Sequence, residues 1–205
     1  MAAEPRVFVG LGNPGKQYEN TRHNIGFFVV QQYAKQLGLT WKEEAKFQAR
    51  IAKGVDKEKE IHLLMPHTYM NLSGVSVRSY IEYYHFSLSS LVIIVDDVAI
   101  PFGEMKLKPC GSTGGHNGLK SIETCLGSQE YTRLRMGVGA PREVDSLADY
   151  VLSPFEGKEK EDLPNFAEQG VIVIRRLLEE NIENIMQDVN IRKLPEKGSG
   201  ESNEK

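Results

Sequence analysis

Leu91-Val92-Ile93-Ile94-Val95-Asp96-Asp97 is the stretch that decides the fold. Five consecutive apolar residues leave no polar face, which is the pattern of a strand covered on both sides, and such strands belong to sheets flanked by helices. The run ends in two acids. Open α/β sheets bind ligands at the carboxyl ends of their strands, so Asp96 is a candidate site residue by position. Toward the N-terminus, residues 6–11 read as another strand. Ile25, Phe28, Val29, Tyr33 and Leu37 then recur at three- and four-residue spacing, the apolar stripe of a helix that Gly38 closes. Residues 47–53 and 60–65 read as strands joined by a charged hairpin turn, Asp56-Lys57-Glu58-Lys59, with Pro66 ending the second. Asn71 is expected to N-cap a helix running to about Tyr84, with Leu72, Val75 and Ile81 turned inward. Toward the C-terminus the expected order is a strand over 104–108, a Gly-rich loop over 109–115, a helix over 118–126, a strand over 133–138 and helices over 165–180 and 182–189. Val171-Ile172-Val173-Ile174 has strand propensity inside the first of these late helices. Alternating strands and amphipathic segments give an α/β domain.

Composition narrows the class. The chain has 205 residues, 40% hydrophobic and 26% charged, which suits a single globular domain over 1–194 that stabilises itself without metal or disulfides. The polar stretch 195–205 is expected to be a disordered tail. Apolar runs fall far short of the ~18 residues a membrane span needs. The start Met1-Ala2-Ala3-Glu4-Pro5-Arg6 has no apolar signal region, and Cys110 and Cys125 are too few for a disulfide framework. A cytoplasmic protein with no membrane partner is expected. A net charge of -3 weighs against a uniformly basic nucleic-acid binder.

Four patches carry polar side chains suited to chemistry. Gly10-Leu11-Gly12-Asn13-Pro14-Gly15 matches the dinucleotide-binding G-x-G-x-x-G, but Asn13-Pro14 is turn chemistry and no second strand ending in an acid follows, so a tight strand-to-loop turn is favoured. Thr21-Arg22-His23-Asn24 precedes the first helix, where His23 can share one rim of the sheet with Asp96. A carboxylate beside a histidine fixes the tautomer and stabilises the protonated ring, as general-base work requires. A loop cap or turn former is the other reading of Asp96. Pro66-His67-Thr68-Tyr69-Met70-Asn71-Leu72-Ser73-Gly74 follows a strand, and Gly111-Ser112-Thr113-Gly114-Gly115-His116-Asn117-Gly118-Leu119-Lys120 frees the backbone to approach a ligand, with an Asn helix cap as its structural alternative. No nucleophile elbow, P-loop or metal motif is present in the sequence, and a nucleophilic Cys110 lacks a His–Asp pair aimed at it.

Taken together, the four patches, with Tyr18 and Asp96-Asp97, resemble bacterial-type peptidyl-tRNA hydrolase in order and spacing from about Arg6 to Leu194. The resemblance implies a monomeric α/β/α sandwich around a twisted mixed sheet. It also implies hydrolysis, without metal or organic cofactor, of the ester joining a peptide to the terminal ribose of tRNA, recycling peptidyl-tRNA dropped by ribosomes. Carried over residue by residue, His23 resembles the general base, Asp96 the carboxylate orienting it, and Asn13 the residue distinguishing a peptidyl from a free aminoacyl ester. Asn71 and Asn117 match amides holding the substrate and the water or carbonyl. Tyr18 and Tyr69 match positions at the tRNA 3′ end, Met70 offers apolar surface beside them, and His116 fits as a shaping residue. Ala99 stands where the family often has another acid, and the Gly-rich loop carries Cys110 and Ser112-Thr113 where smaller or His-containing variants are common.

Two other classes remain as alternatives: a non-catalytic RNA-binding protein on the same fold, and a nicotinamide-dependent oxidoreductase resting on the glycine match alone. The charge distribution bears on the first. Residues 156–188 hold nine acids against four bases, a balance of -5, leaving +2 for the rest. Lys106, Lys108, Lys120, Arg133 and Arg135 cluster beside the Gly-rich loop and are expected to form a basic strip for the tRNA backbone, with the acidic helices turned away.

Overall fold

In the computed structural model, which describes residues 6–140 and 146–190, strands and helices alternate as the apolar patterning requires. The strands are β1 (Arg6–Gly10), β2 (Lys42–Glu44), β3 (Ala49–Asp56), β4 (Lys59–Pro66), β5 (Leu91–Asp97), β6 (Met105–Lys108) and β7 (Thr132–Gly137). They form one sheet in the order β2-β3-β4-β1-β5-β7-β6. β4, β1, β5 and β7 run parallel, while β2, β3 and β6 pair antiparallel, so the sheet is mixed. The helices are α1 (Ile25–Gln36), α2 (Ser73–Tyr84), α3 (Asn117–Leu126), α4 (Leu147–Leu152), α5 (Gly157–Arg176) and α6 (Ile182–Val189).

Two apolar cores lie on opposite faces, as the doubly buried β5 demands. Val92 and Ile94 face the core shared with α1, α5 and α6, and Ile93 and Val95 face the core under α2 and α3. The chain is an α/β/α sandwich. The proposed tail at 195–205 lies outside the described residues.

Two local expectations are corrected, the start of the late helix and the inward facing of Leu72 and Val75, while the helix expected over 171–174 forms. Helix α5 begins at Gly157, not after Pro164; the proline sits on the exposed side, where the carbonyl its missing N–H leaves free can bond water. Val171, Val173 and Ile174 are buried in this helix, so burial against α1 and the sheet overrides their strand propensity. Leu72 and Val75 are exposed, because a 3₁₀ turn, Met70–Leu72, precedes α2 and rotates its start.

The hairpin turn forms where the charged stretch placed it, with Lys57 and Glu58 both left-handed. At its foot, buried Asp56 accepts a forked pair of bonds from Arg175, at 2.7 and 3.0 Å, and a third from the Tyr33 hydroxyl at 2.8 Å. At the opposite edge, Asn190 bonds both backbone groups of Leu107, covering part of the β6 edge.

Candidate active site

The site begins with a close approach between glycines. A Cβ on Gly10 would lie 2.2 Å from the Gly26 carbonyl oxygen, and one on Gly26 would lie 2.4 Å from that of Ile94. Only bare backbone lets α1 rest this tightly on β1 and β5. The consequence is positional: the 3₁₀ turn Arg22–Asn24 ahead of α1 sits over the end of β5, and His23 reaches Asp96. The loop after β1 leads into the turn Lys16–Tyr18 and not into a helix, so the G-x-G-x-x-G match makes no dinucleotide turn.

His23 Nδ1 lies 2.8 Å from Asp96 Oδ1, and His116 Nε2 lies 2.9 Å from the same oxygen. His23 is 9% exposed and Asp96 3%. The remaining partners define the tautomers. His116 Nδ1 accepts from the backbone N–H groups of Gly118 and Leu119, capping α3, so its proton is on Nε2 and is donated to Asp96. His23 donates from Nδ1 in the same way, which leaves its Nε2 lone pair at the cleft. Burial pushes the Asp96 carboxyl up, but the imidazoles of His116 and His23 outweigh it and hold the group well below the usual carboxylate range. Ligand atoms of His23, Asp96 and His116 lie within 4.8 Å of one another, a composition that could hold a metal. The hydrogen bonds place an N–H, not a lone pair, on each imidazole atom facing the carboxylate, so a metal there would have to break the α3 cap.

Asn13 is held from two sides. Its backbone N–H donates to Asn24 Oδ1 at 2.8 Å, and Asn24 Nδ2 returns a bond to its carbonyl at 3.0 Å. Its own Oδ1 accepts from the Met70 N–H at 2.8 Å, which leaves the Nδ2 donors for the cleft. Asn24 follows His23 in the same turn, so one amide ties the position of Asn13 to that of the histidine. These groups line a cleft of about 710 Å³. Asn71 and Asn117 are exposed on its walls and neither is a helix cap; Leu72 precedes α2, and the side-chain cap of α3 is His116. Met70 is buried in the floor, and the Tyr69 ring is exposed at the rim.

Residues 7–197 match the family model described as Peptidyl-tRNA hydrolase. The chain belongs to the peptidyl-tRNA hydrolase family. It is 41% identical over 189 residues to the peptidyl-tRNA hydrolase of Gloeobacter violaceus, covering 92% of this chain and 96% of that protein. With the peptidyl-tRNA hydrolase of Carboxydothermus hydrogenoformans it shares 43% identity over 184 residues, covering 90% and 97%. Crystallised peptidyl-tRNA hydrolase from Acinetobacter baumannii superposes with a TM-score of 0.86 at 32% identity, covering 93% of this chain and 96% of that one.

One wall of this peptidyl-tRNA hydrolase-family cleft was missed from sequence. Leu147, Val151 and Leu152 on α4 supply apolar surface facing Tyr69 and Leu72. The signal was present: Ser146 accepts from the N–H groups of Ala148 and Asp149, and Ser146-Leu147-Ala148-Asp149 has capping-box spacing. Buried Arg22 fastens this wall to the His23 turn, bonding Ser153 Oγ at 2.9 Å and Glu159 at 2.6 Å and lying 4.5 Å from the Tyr150 ring centroid.

The basic strip is thinner than expected. Arg133 is 0% exposed, its guanidinium spent on the carbonyls of Gly111, Ser112, Gln129 and Tyr131, so it offers no charge to a ligand. Arg135 lines the cleft but pairs with Asp97 at 3.0 Å and the Ser112 carbonyl at 2.7 Å. Lys106 and Lys108 lie opposite Arg135 and Arg133 in register, on the face away from acidic α5 and α6, and outside the cleft lining. Tyr18, on its separate turn, is likewise outside it.

Proposed function

We propose that the chain cleaves the ester between a peptide and the 3′-terminal ribose of tRNA by general-base activation of water at His23. The observation carrying this reading is the 2.8 Å contact from His23 Nδ1 to Asp96 Oδ1, which directs an unprotonated Nε2 at a cleft lined by Asn13, Asn71 and Asn117. Nε2 takes a proton as the water oxygen attacks the ester carbonyl, and Asp96 stabilises the imidazolium that results. The imidazolium then gives its proton to the departing ribose oxygen, releasing tRNA and the peptide acid, which loses its remaining proton to solvent. Amide N–H groups of the asparagines donate to the developing oxyanion without competing for the histidine proton.

Asn13 selects the substrate. The Met70 N–H holds its Oδ1 and so turns Nδ2 to the cleft, and that donor suits the carbonyl of an N-blocked residue and repels a free α-ammonium. Tyr69 offers a face for an unpaired base of the tRNA end, with Met70 and His116 shaping the floor, and Tyr18 a second contact farther out. Lys106 and Lys108, with Arg135 at the cleft edge, receive the RNA backbone. The chain is taken to act as a monomer. No helix among the described residues is long and apolar enough to cross a membrane, and we place the enzyme in the cytoplasm with its substrate. The non-catalytic RNA-binding reading leaves the buried His23–Asp96 pair without a role.

Purified protein offered N-acetyl-aminoacyl-tRNA and free aminoacyl-tRNA is expected to cleave the first and to spare the second. RNA binding without cleavage of either would contradict the proposal.

A further inference from the structure

The sheet order sets functional groups in a line. Along the rim formed by the carboxyl ends of the parallel strands, Arg135 belongs to β7, Asp96 to β5, and Asn13 follows β1; Met65 lies next to the last residue of β4, with Arg50 opposite it on β3. On the β4 side of the catalytic cleft lies a second cavity of about 310 Å³. Its floor is apolar, with Phe27, Phe28 and Met65, and its rim carries Gln31 and Arg50, whose side chains have no hydrogen bond or ion pair among the described residues. Asn13, only 7% exposed, lines both spaces, and its Nδ2 has no partner among the described residues.

We propose that this second cavity binds the peptide arm of the substrate, upstream of the residue whose ester is cleaved. The inference rests on the functional reading above and follows from the shape of that substrate, which is linear: RNA, ester, peptide. Cationic groups stand on the β7 and β6 side of His23, and the ester must meet His23 itself, so the chain leaving in the other direction passes Asn13 toward β4. The lining fits a peptide of varied sequence. An apolar floor accepts side chains without selecting one shape, and unpaired donors at the rim suit backbone carbonyls, which recur at every residue. Asn13 then reads the first acyl carbonyl at the boundary, and Gln31 and Arg50 hold the residues beyond it.

The test compares two substrates on one preparation of the full chain: tRNA esterified with N-acetyl-phenylalanine, and tRNA esterified with an N-acetylated tetrapeptide ending in phenylalanine. The wild type is expected to show the higher kcat/KM on the tetrapeptide. In a Gln31→Ala/Arg50→Ala double variant, which removes two donors, the ratio of the two values should fall by about 25-fold through KM, about fivefold for each lost hydrogen bond. Gln31→Trp, which fills the cavity instead of stripping it, should lower the same ratio. Because the ratio is internal to each preparation, partial misfolding does not mimic the effect. An unchanged ratio in both variants, or no preference in the wild type, would overturn the proposal. Failure of the wild type to cleave either substrate would instead overturn the functional reading beneath it.

Discussion

Asp56 and Asp96 are both buried carboxylates at strand ends, each ringed by donors and each held below the usual carboxylate range, yet only one of them can take part in a reaction. At Asp56 burial pushes the carboxyl up, but the Arg175 and Tyr33 hydrogen bonds outweigh it, and its counter-charge is a guanidinium that never gives up its proton. That site is closed. At Asp96 burial is outweighed by two imidazoles, and one of them turns its other nitrogen to a cleft. The negative charge there has no permanent partner, so it is available to stabilise a proton arriving on His23. Both carboxylates are shielded from solvent and hydrogen-bonded, so what separates them chemically is the kind of counter-charge.

The largest separation of the two regions should come from Asp96→Ala. Removing the shared acceptor orphans two N–H donors and strips the base of its support; kcat should fall by two to four orders of magnitude, roughly the worth of acid-base catalysis. An assay showing less than about a tenfold loss would put the two carboxylates in one class. Asp56→Asn should do the opposite. It weakens the fork to Arg175, so denaturant unfolding should show a loss of about 1–3 kcal/mol, while kcat/KM stays within about twofold of wild type.

His116 divides the Asp96 site further. His116→Ala loses both the α3 cap, worth about 1 kcal/mol, and one of the two donors to Asp96. His116→Asn can restore the cap without the donor. Stability should recover in the asparagine variant while a loss in kcat of about fivefold persists; recovery of both would mean that His116 acts only as a cap.

Acid should weaken both regions together. Each carboxyl has a lower folded than unfolded pKa, so the unfolded chain binds protons first as pH falls. The stabilisation is full above about pH 4, the ordinary carboxylate value, and is lost as pH drops through the lowered folded values. Urea midpoints should fall as pH drops from about 4 to about 3, and Asp56→Asn should shrink that fall. The smallest effect belongs to the RNA strip: Lys106→Ala should reduce the slope of log binding against log salt by about one, and an unchanged slope would exclude a phosphate contact.

Much of the fold is written locally. The apolar run at 91–95, the three- and four-residue spacing from Ile25 to Leu37 and the charged hairpin each fix an element from its own residues. What escaped depends on distant partners. Arg133 reads locally as a charge for the surface, and its burial depends in part on the loop carbonyls of Gly111 and Ser112, brought across from another segment. Pro164 marks a helix start in isolation, but the helix it interrupts is held by packing against α1 and the sheet. At the site, pairing logic left Asp96 open between a turn former and a partner for His23, because sequence does not show which strand ends adjoin. The order β1-β5-β7 supplies that, and the Asn24 clamp on Asn13 and the α4 wall exist only once the sheet has formed.

The central claim is that His23 Nε2 takes the proton from water. A single-turnover measurement, with enzyme in excess over N-acetyl-aminoacyl-tRNA, tests it by comparing wild type with His23→Ala while binding is held saturated. The first-order rate should fall by about 10³-fold with little change in tRNA affinity. A His23→Ala rate within about twofold of wild type, with the ester still cleaved, would contradict it.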